Sequence, residues 1–295
     1  MKTLFLVNPL AGKVKDPEQV TSLIQSVYQK AGQSCEVQSI NFDELDLMMA
    51  EIRSSSFQRI FAVGGDGTIN AVASRLIGSD KAMGVIPGGS GNGLGRHLGM
   101  SVQMEKAIEE APRLIEQKVD TGLFGGHAFV NLAGIGLDAA VAQGFSQAKS
   151  RGLLPYIQES AKGLLKRKSV DLSIQVGEEW QHFQGVIGVT VANGTQWGFD
   201  AKIAGGASLT DGLLDVRVIH RFPLVATPPI LMRLFTGTLQ DSNYVTSFKT
   251  SALHIHAAPL DWIQVDGEPQ PAPEELTAKV IPQSLKLLAP PGVTL

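Results

Sequence analysis

Residues 60–68 read IFAVGGDGT, and this stretch decides how the first half of the chain folds. Its four apolar residues predict a buried strand, and the helical pattern of residues 69–77 follows directly after the turn. The glycines permit positive φ angles and close backbone approach, and the free N–H groups of a helix start attract phosphate. Asp66 adds a carboxylate beside that phosphate, where Mg²⁺ would fit between them. We interpret the turn as a site for a metal–nucleoside phosphate, since an ordinary βα turn needs fewer glycines around an acid.

Strands and helices alternate on both sides of this stretch. Apolar runs at residues 3–7, 35–40 and 82–86 predict three further strands, and helical patterns lie between them. The first helix starts at Asp16, an N-cap acid followed by proline, and ends at Gly32. This alternation predicts parallel strands with right-handed crossovers, in which ligands bind beyond the carboxyl ends of the strands.

The pattern changes in the second half, where short strands punctuated by glycine and proline replace the alternation. These strands predict a β-rich domain over residues 121–284, after an α/β domain over residues 1–120. The last apolar run falls within residues 285–295, which we expect to return to the first domain. A helical insertion at residues 153–168 alternates basic and apolar side chains, so it either lies on an anionic membrane or packs against the core.

Composition excludes several classes of function. Of the 295 residues 43% are hydrophobic, which is enough to build the cores of two domains. The formal net charge of −3 argues against nucleic-acid binding, because such proteins usually carry a basic surface. The single cysteine, Cys35, cannot form an internal disulfide, so a reducing cytoplasm is the simplest compartment. We expect neither a signal peptide nor a transmembrane helix, and therefore expect any membrane contact to be peripheral.

Three glycine-containing loops follow three of the predicted strands, at residues 8–13, 64–68 and 88–93. Because they follow parallel strands, they should open on the same edge of the sheet and surround one nucleotide. Backbone N–H groups would donate hydrogen bonds to it, together with the side chains of Thr68, Ser90 and Asn92. Lys13 is either a phosphate-binding cation or a solvated loop lysine. The chain has no G-x-x-x-x-G-K-[ST] motif, so it is not a P-loop protein.

The same three loops carry a family resemblance. Residues 8–12 read N-P-x-A-G, residues 64–68 read GGDGT and residues 87–92 read PGGSGN, and in this order they resemble the diacylglycerol kinase catalytic domain family. That family includes bacterial lipid kinases and sphingosine kinases. The second half agrees over nearly its whole length, with N-x-x-G-x-G-x-D at residues 131–138, ANG, GG, DGLLD and, at residues 266–268, DGE. GGDGT alone is less specific, because phosphofructokinases and NAD kinases share a similar turn.

The resemblance implies an N-terminal parallel α/β nucleotide-binding domain, a C-terminal β-sandwich domain and an active site in the cleft between them. It implies transfer of the γ-phosphoryl group of Mg²⁺–ATP to a hydroxyl of diacylglycerol or a related lipid, as a step of phospholipid biosynthesis. Such an enzyme would be cytoplasmic and peripheral to the inner face of the membrane. The residues it assigns to nucleotide binding are Asn8, Pro9, Ala11, Gly12, Ser39, Gly64, Gly65, Asp66, Gly67, Thr68, Asn70, Ser90, Gly91 and Asn92.

Asp266 and Glu268 are the candidate catalytic residues, because phosphoryl transfer needs a carboxylate to accept the proton of the acceptor hydroxyl. In an extended segment residues i and i+2 point to the same side, so we expect both to face the active site. The alternative for such a D-G-E sequence is an ordinary acidic β-turn. Which of the two carboxylates is the base stays open.

A second metal site is implied by the family pattern, with Ser208, Asp211 and the backbone carbonyl of Leu213 as ligands. Oxygen atoms on a turn suit Mg²⁺ or Ca²⁺. Serine is a weaker ligand than the acid or amide expected at its position, so the site is either completed by water or empty. Asp215 is either a substitute ligand or a residue on a surface strand.

The third loop, with GSGNG at residues 89–93, is closer to the sphingosine kinase form than to that of many bacterial relatives, which leaves the acceptor open. Two alternatives to a lipid kinase remain: a kinase with a soluble acceptor, of the NAD kinase type, and a non-catalytic nucleotide or lipid sensor. A dinucleotide fingerprint from Gly134 lacks the acidic residue that it requires, and the histidines show no metal spacing. Nothing in the sequence excludes a homodimer.

Overall fold

Residues 2–136, 169–258 and 260–295 are described by a computed structural model, in which the chain divides into two units. The first unit contains residues 1–119 and 283–295, and the second contains residues 120–282. The chain therefore passes from the first unit to the second and back again. Asp138 and the predicted helical insertion at residues 153–168 lie outside the described residues.

A parallel sheet forms the centre of the first unit. Its strands are β1 (Thr3–Val7), β2 (Cys35–Ser39), β3 (Arg59–Gly64), β4 (Ala82–Pro87) and the last part of the long strand β15 (Leu276–Ala289), in the order β15-β4-β3-β1-β2. All neighbouring pairs in this order run parallel. β1 and β4 are buried along their whole length, as expected for strands that are covered on both faces.

Helices connect these strands, as the alternating pattern predicts. They are α1 (Pro17–Lys30), α2 (Leu45–Ser54), α3 (Asp66–Leu76), α4 (Gly93–His97) and α5 (Met104–Glu110). Asp16 caps α1 by accepting hydrogen bonds from the N–H groups of Glu18 and Gln19. Phe5 of β1 stacks on Phe61 of β3 with 4.6 Å between ring centroids, and the two residues are paired in the register of the two strands that carry the first two loops.

Antiparallel strands dominate the second unit. They are the last part of β5 (Ile115–Phe124), β6 (His127–Phe129), β7 (Leu132–Gly136), β8 (Val170–Val176), β9 (Glu179–Ala192), β10 (Leu214–His220), β11 (Val245–Thr250), β12 (Ala252–Ala257), β13 (Trp262–Val265), β14 (Glu268–Pro271) and the first part of β15, and a helix, α6 (Thr227–Thr236), follows β10. The unit is thus the β-rich domain that the punctuated pattern predicts.

β9 is a long strand of this unit that pairs with three other strands. Its first residues pair with β8, and its last residues pair with β7 on one side and with β10 on the other. Apolar side chains from β9, β10, β12 and β13 form one buried cluster that includes Val189, Val216, Ile255 and Ile263. This core supports the edge at which β7 and β13 pair, and the D-G-E sequence follows β13 directly.

Candidate active site

The three glycine loops meet backbone to backbone at one edge of the parallel sheet. The N–H of Gly88 donates to the carbonyl of Gly64 at 2.7 Å, and the N–H of Lys13 donates to the carbonyl of Gly88 at 3.0 Å. A Cβ atom placed on Gly89 would lie 2.6 Å from the Cα atom of Gly65, closer than real Cβ contacts come. The absence of side chains at these positions is therefore what allows the second and third loops to touch.

Asn8 and Thr68 connect the first loop to the second. The Asn8 side-chain amide donates to Thr68 Oγ1 at 2.8 Å, and its Oδ1 accepts the N–H of Leu10 at 2.9 Å. Thr68 is buried, and its hydroxyl keeps its own hydrogen for a further bond. These two predicted binding residues thus shape the loops as well as offering a donor.

Asp66 connects the second loop to the third. Its carboxylate accepts the N–H of Asn92 at 2.9 Å and the N–H of Gly93 at 2.7 Å. Burial raises the pKa of the Asp66 carboxyl, and hydrogen bonds from these two backbone groups oppose that shift. Each carboxylate oxygen has a second lone pair, which is the part that a cation could use.

Asn92 stabilises the third loop internally. It adopts a positive φ of 52°, its Oδ1 accepts the N–H of Gly89 at 3.1 Å, and its amide donates to the carbonyl of Gly89 at 3.0 Å. The side chain is buried, so its amide is committed to the loop. Of the neighbouring predicted residues, Ser90 is exposed and Gly91 is partly exposed, so the tip of this loop is accessible.

The remaining residues predicted to bind the nucleotide differ in solvent accessibility. Gly12 and Ser39 are exposed, Pro9 is partly exposed and Ala11 is buried. Ser39 ends β2 beside Val7, one residue before the first loop begins. Asn70 lies on α3, and within the described parts of the chain nothing hydrogen-bonds to its buried Oδ1 atom.

Two basic residues beside the loops have different partners. The Lys13 ammonium donates to the carbonyl of Val102 at 2.6 Å, and burial followed by the charge of Arg96 lowers the pKa of Lys13. Arg96, which the sequence analysis did not single out, donates from Nε to the carbonyl of Gly91 at 3.1 Å. Its position on α4, directly after a glycine loop, was the feature of the sequence that could have identified it.

The D-G-E sequence forms a two-residue hairpin turn. Val265 of β13 pairs with Glu268 of β14, and Asp266 and Gly267 between them have φ angles of 48° and 86°. Positive φ at both central residues is typical of the turn that Asp-Gly favours in hairpins. The expectation of an extended segment with Asp266 and Glu268 on the same side is therefore wrong, because the chain reverses between them.

Asp266 is bound to the start of β7 by backbone hydrogen bonds. Its carboxylate accepts the N–H groups of Val130, Asn131 and Leu132, each at 2.8 Å, and its own N–H donates to the carbonyl of Leu132 at 2.7 Å. Three of roughly four acceptor positions of a carboxylate are used in this way. Glu268, by contrast, is exposed.

Asn193 links Asp120 to Val130, which is one of the residues that bond to Asp266. The buried Asn193 side chain donates to the carbonyls of Asp120 at 2.9 Å and Val130 at 2.7 Å. Asp120 is itself buried, and its carboxylate accepts the N–H of Gly212 at 2.8 Å. Asp120 was missed because it stands in a strand of mixed polar and apolar residues, IEQKVDTGLF, where an acid is not conspicuous.

Comparison with known proteins agrees with both halves of this arrangement. Residues 2–124 match the family model described as diacylglycerol kinase catalytic domain, and residues 131–289 match the one described as YegS C-terminal NAD kinase beta sandwich-like domain. The chain belongs to the diacylglycerol kinase catalytic domain family. Its N-terminal α/β domain, its C-terminal β-sandwich-like domain and its class, a lipid kinase, follow from this membership.

Relatives of the diacylglycerol kinase family align over most of the chain. A diacylglycerol kinase of Bacillus subtilis is 24% identical over 90% of this chain and 88% of its own length. A probable lipid kinase YegS-like of Chromohalobacter salexigens is 26% identical over 83% of this chain and 80% of its own length. An uncharacterised Synechocystis protein is 29% identical over 78% of this chain, which spans about half, 54%, of that relative.

Solved structures share the fold. The crystal structure of a Bacillus anthracis diacylglycerol kinase superposes with a TM-score of 0.79 over 99% of this chain and 98% of the other. The two sequences are 19% identical, so the likeness concerns the fold alone.

The family's second metal site does not fit the residues that stand at its position here. The Asp211 Oδ2 atom pairs with the Lys249 ammonium at 2.8 Å, and its Oδ1 accepts the N–H of Leu213 at 3.1 Å. Ser208 Oγ lies 3.2 Å from Thr210 Oγ1 and offers only a neutral oxygen. Among the residues described, no group of three or more His, Cys, Asp and Glu side chains could hold a metal ion. Asp211 thus has an ammonium partner where the prediction placed a divalent cation.

Asp215 is not a residue on a surface strand, and that interpretation is wrong. Its side chain is 4% exposed and pairs with Arg217 at 2.8 Å and with Lys249 at 3.1 Å. Burial lowers the pKa of Lys249, but hydrogen bonds and charges from Asp211 and Asp215 raise it above its ordinary value. Lys249 was missed because nothing in its local sequence distinguishes it from other strand lysines.

Proposed function

We propose that this chain transfers the γ-phosphoryl group of Mg²⁺–ATP to a hydroxyl of diacylglycerol or a related lipid. The observation that carries the proposal is the contact of the three glycine loops at one sheet edge, where backbone hydrogen bonds join the loops and the lack of a Cβ atom on Gly89 lets the third loop touch the second. Phosphoryl transfer depends on positioning and on neutralising phosphate charge more than on covalent chemistry. Loops of this kind suit that task because their donors are held in place before the nucleotide binds.

Within this proposal the three loops divide the work of binding. N–H groups in the first turn of α3 would donate to the phosphates, and the Thr68 hydroxyl and exposed Ser90 would add donors from the side. Mg²⁺ bound with the nucleotide would neutralise phosphate charge. The Asp66 carboxylate, which bonds the backbone N–H groups of Asn92 and Gly93, would provide a remaining lone pair to this ion.

The acceptor hydroxyl needs a proton acceptor, and we assign that task to the D-G-E hairpin. Asp266 holds the start of β7 through three N–H bonds, and Glu268 presents an exposed carboxylate after the turn. Asp266→Asn and Glu268→Gln, each assayed for turnover at saturating ATP, separate the base from the residue that positions it. Full turnover in both variants would remove the assignment.

The experiment that tests the function measures transfer of ³²P from [γ-³²P]ATP into a chloroform-extractable product. Mixed micelles would carry diacylglycerol, monoacylglycerol, phosphatidylglycerol, ceramide or sphingosine, and a parallel detergent-free reaction would contain NAD. We expect label in a lipid and none in NAD. Label in NAD alone, or ATP binding without any labelled product, would contradict the proposal and favour the soluble-acceptor kinase or the sensor.

A lipid acceptor also requires contact with a bilayer, and the structure offers an apolar surface for it. Exposed apolar side chains lie on α6 and the turn before it: Leu224, Val225, Leu231, Met232 and Phe235. Between residues 221 and 240 the only charged residues are Arg221 and Arg233, and both are basic. Apolar side chains beside arginines suit an anionic lipid surface. No helix among the described residues is long and apolar enough to span a membrane.

Sedimentation with vesicles tests this surface. We expect the protein to bind phosphatidylcholine–phosphatidylglycerol vesicles and the double variant Met232→Gln/Phe235→Gln to bind them at least about tenfold more weakly, a loss of roughly 1.4 kcal/mol. Leu47→Gln is the matched control, because Leu47 is 71% exposed on α2 in the other unit. Equal binding by both variants would remove α6 from the proposal while leaving the kinase activity untouched.

A further inference from the structure

The Lys249 ammonium lies among three oxygen atoms. It is 2.8 Å from Asp211 Oδ2, 3.1 Å from Asp215 Oδ2 and 3.3 Å from the carbonyl oxygen of Gly206. An ammonium group has three N–H donors, so these three acceptors match its full capacity. Two carboxylates and a backbone carbonyl are also the kinds of ligand that Ca²⁺ and Mg²⁺ use.

These oxygen atoms belong to the segment that leads into β10. Gly206 and Asp211 precede the strand, Asp215 is its second residue, and Lys249 lies directly opposite Asp215 in the register of β10 and β11. The N–H of Gly212, in the same segment, donates to the buried carboxylate of Asp120. One cation therefore anchors the loop between residues 206 and 215 to the sheet.

Charge at this position is already balanced. Asp215 shares its two oxygens between Lys249 and Arg217, and Asp211 faces Lys249, so two carboxylates are matched by two cations. The Asp215 and Arg217 side chains are both nearly inaccessible to solvent, where excess charge is expensive. A divalent ion bound to Asp211 would lie close to the Lys249 ammonium and the Arg217 guanidinium, and it would add uncompensated positive charge beside these two cations.

We propose that Lys249 takes the place of a divalent structural metal in this chain. The 206–215 loop is then held by a cation supplied by the protein itself, and its stability is independent of Mg²⁺ and Ca²⁺. This inference concerns the stability of the β-rich unit, so it stands or falls separately from the identity of the acceptor lipid.

Thermal unfolding without nucleotide tests the inference in wild type, Lys249→Met and Lys279→Met, each with EDTA, Mg²⁺ or Ca²⁺. Lys279 is an exposed lysine on β15 of the same unit and serves as the matched control. We expect wild type and Lys279→Met to unfold at the same temperature in all three buffers. Lys249→Met should unfold several degrees lower in EDTA and recover part of that loss in millimolar Ca²⁺, because the freed oxygen atoms then accept the metal.

Three results would overturn the proposal. The first is a rise in the wild-type unfolding temperature with Ca²⁺ or Mg²⁺ that Asp211→Asn abolishes. The second is a Lys249→Met protein as stable as wild type in EDTA. The third is a destabilised Lys249→Met protein that Ca²⁺ does not rescue. If Lys249→Met does not fold, calorimetric titration of Ca²⁺ into the nucleotide-free wild type tests the proposal instead. A dissociation constant below about 1 mM, which is the range of weak protein calcium sites, would contradict the proposal.

Discussion

The Asp66 carboxylate accepts the backbone N–H of Gly93 at 2.7 Å across 27 positions of sequence. Through this bond the acid of the GGDGT turn holds the loop that follows β4. The acid therefore has a structural partner before any nucleotide arrives. Removing the carboxylate should affect both the geometry of the loops and the affinity for ATP.

Asp66→Asn should destabilise the first unit by about 1–3 kcal/mol, because the new NH₂ group would replace one of the two carboxylate oxygens and leave one backbone N–H without its acceptor. It should also weaken ATP binding. Urea unfolding and calorimetric titration with a non-hydrolysable ATP analogue measure the two effects. Asp43→Asn, an exposed acid in the same unit, should change neither, and wild-type behaviour of Asp66→Asn would contradict the role of the carboxylate.

Gly89→Ala should weaken ATP binding at least about tenfold, a loss of roughly 1.4 kcal/mol. Its Cβ would lie 2.6 Å from the Cα atom of Gly65, so the second and third loops must separate. Gly206→Ala is the steric control, since a Cβ there has no heavy atom within 4 Å. Unchanged nucleotide affinity in Gly89→Ala would show that contact between the loops is dispensable.

Asp266→Asn and Glu268→Gln should differ in stability. Asp266→Asn loses an oxygen that accepts backbone N–H groups and should cost about 1–3 kcal/mol. Glu268→Gln should unfold like the wild type because Glu268 is exposed. Urea unfolding measures both, with the exposed Asp261→Asn as control. If Asp266→Asn proved as stable as Glu268→Gln, the hairpin would not depend on its hydrogen bonds.

Stability should fall as pH drops from 7 to 5, in part through His97. Burial lowers the pKa of His97 to about 4, whereas in the unfolded chain it keeps an ordinary value near 6.5. Between these values the unfolded state binds a proton that the folded state does not, so protonation favours unfolding. The contribution at pH 5 is about 2 kcal/mol.

Urea unfolding at pH 7 and pH 5 measures this effect. The loss of stability between the two values should be smaller in His97→Gln than in the wild type. His127→Gln, which changes an exposed histidine, should retain the full loss. An identical pH dependence in His97→Gln and wild type would disprove the role of His97.

Much of the first unit is predictable because its signals are local. Apolar runs of strand length, helix caps such as Asp16 and the glycines of the three loops specify strands, helices and turns within a few residues of themselves. The parallel order follows from the alternation of strands and helices. The Asp266-Gly267 pair was also a local signal, for a hairpin, but the acidic β-turn stood only as the alternative to an extended segment.

Partners distant in sequence could not be predicted in this way. The carboxylate of Asp266 bonds to residues more than 130 positions away, and Lys249 meets Asp211 across 38 positions. A carboxylate binds an ammonium, a backbone N–H or a metal ion equally well in chemical terms, and only the packing of strands brings one of them within reach. The sequence by itself determined the order of strands and turns and where the three glycine loops lie. The tertiary structure decided which backbone groups the carboxylates of Asp66 and Asp266 bind, and that Asp211 pairs with Lys249. Such pairings depend on strand register between distant parts of the chain.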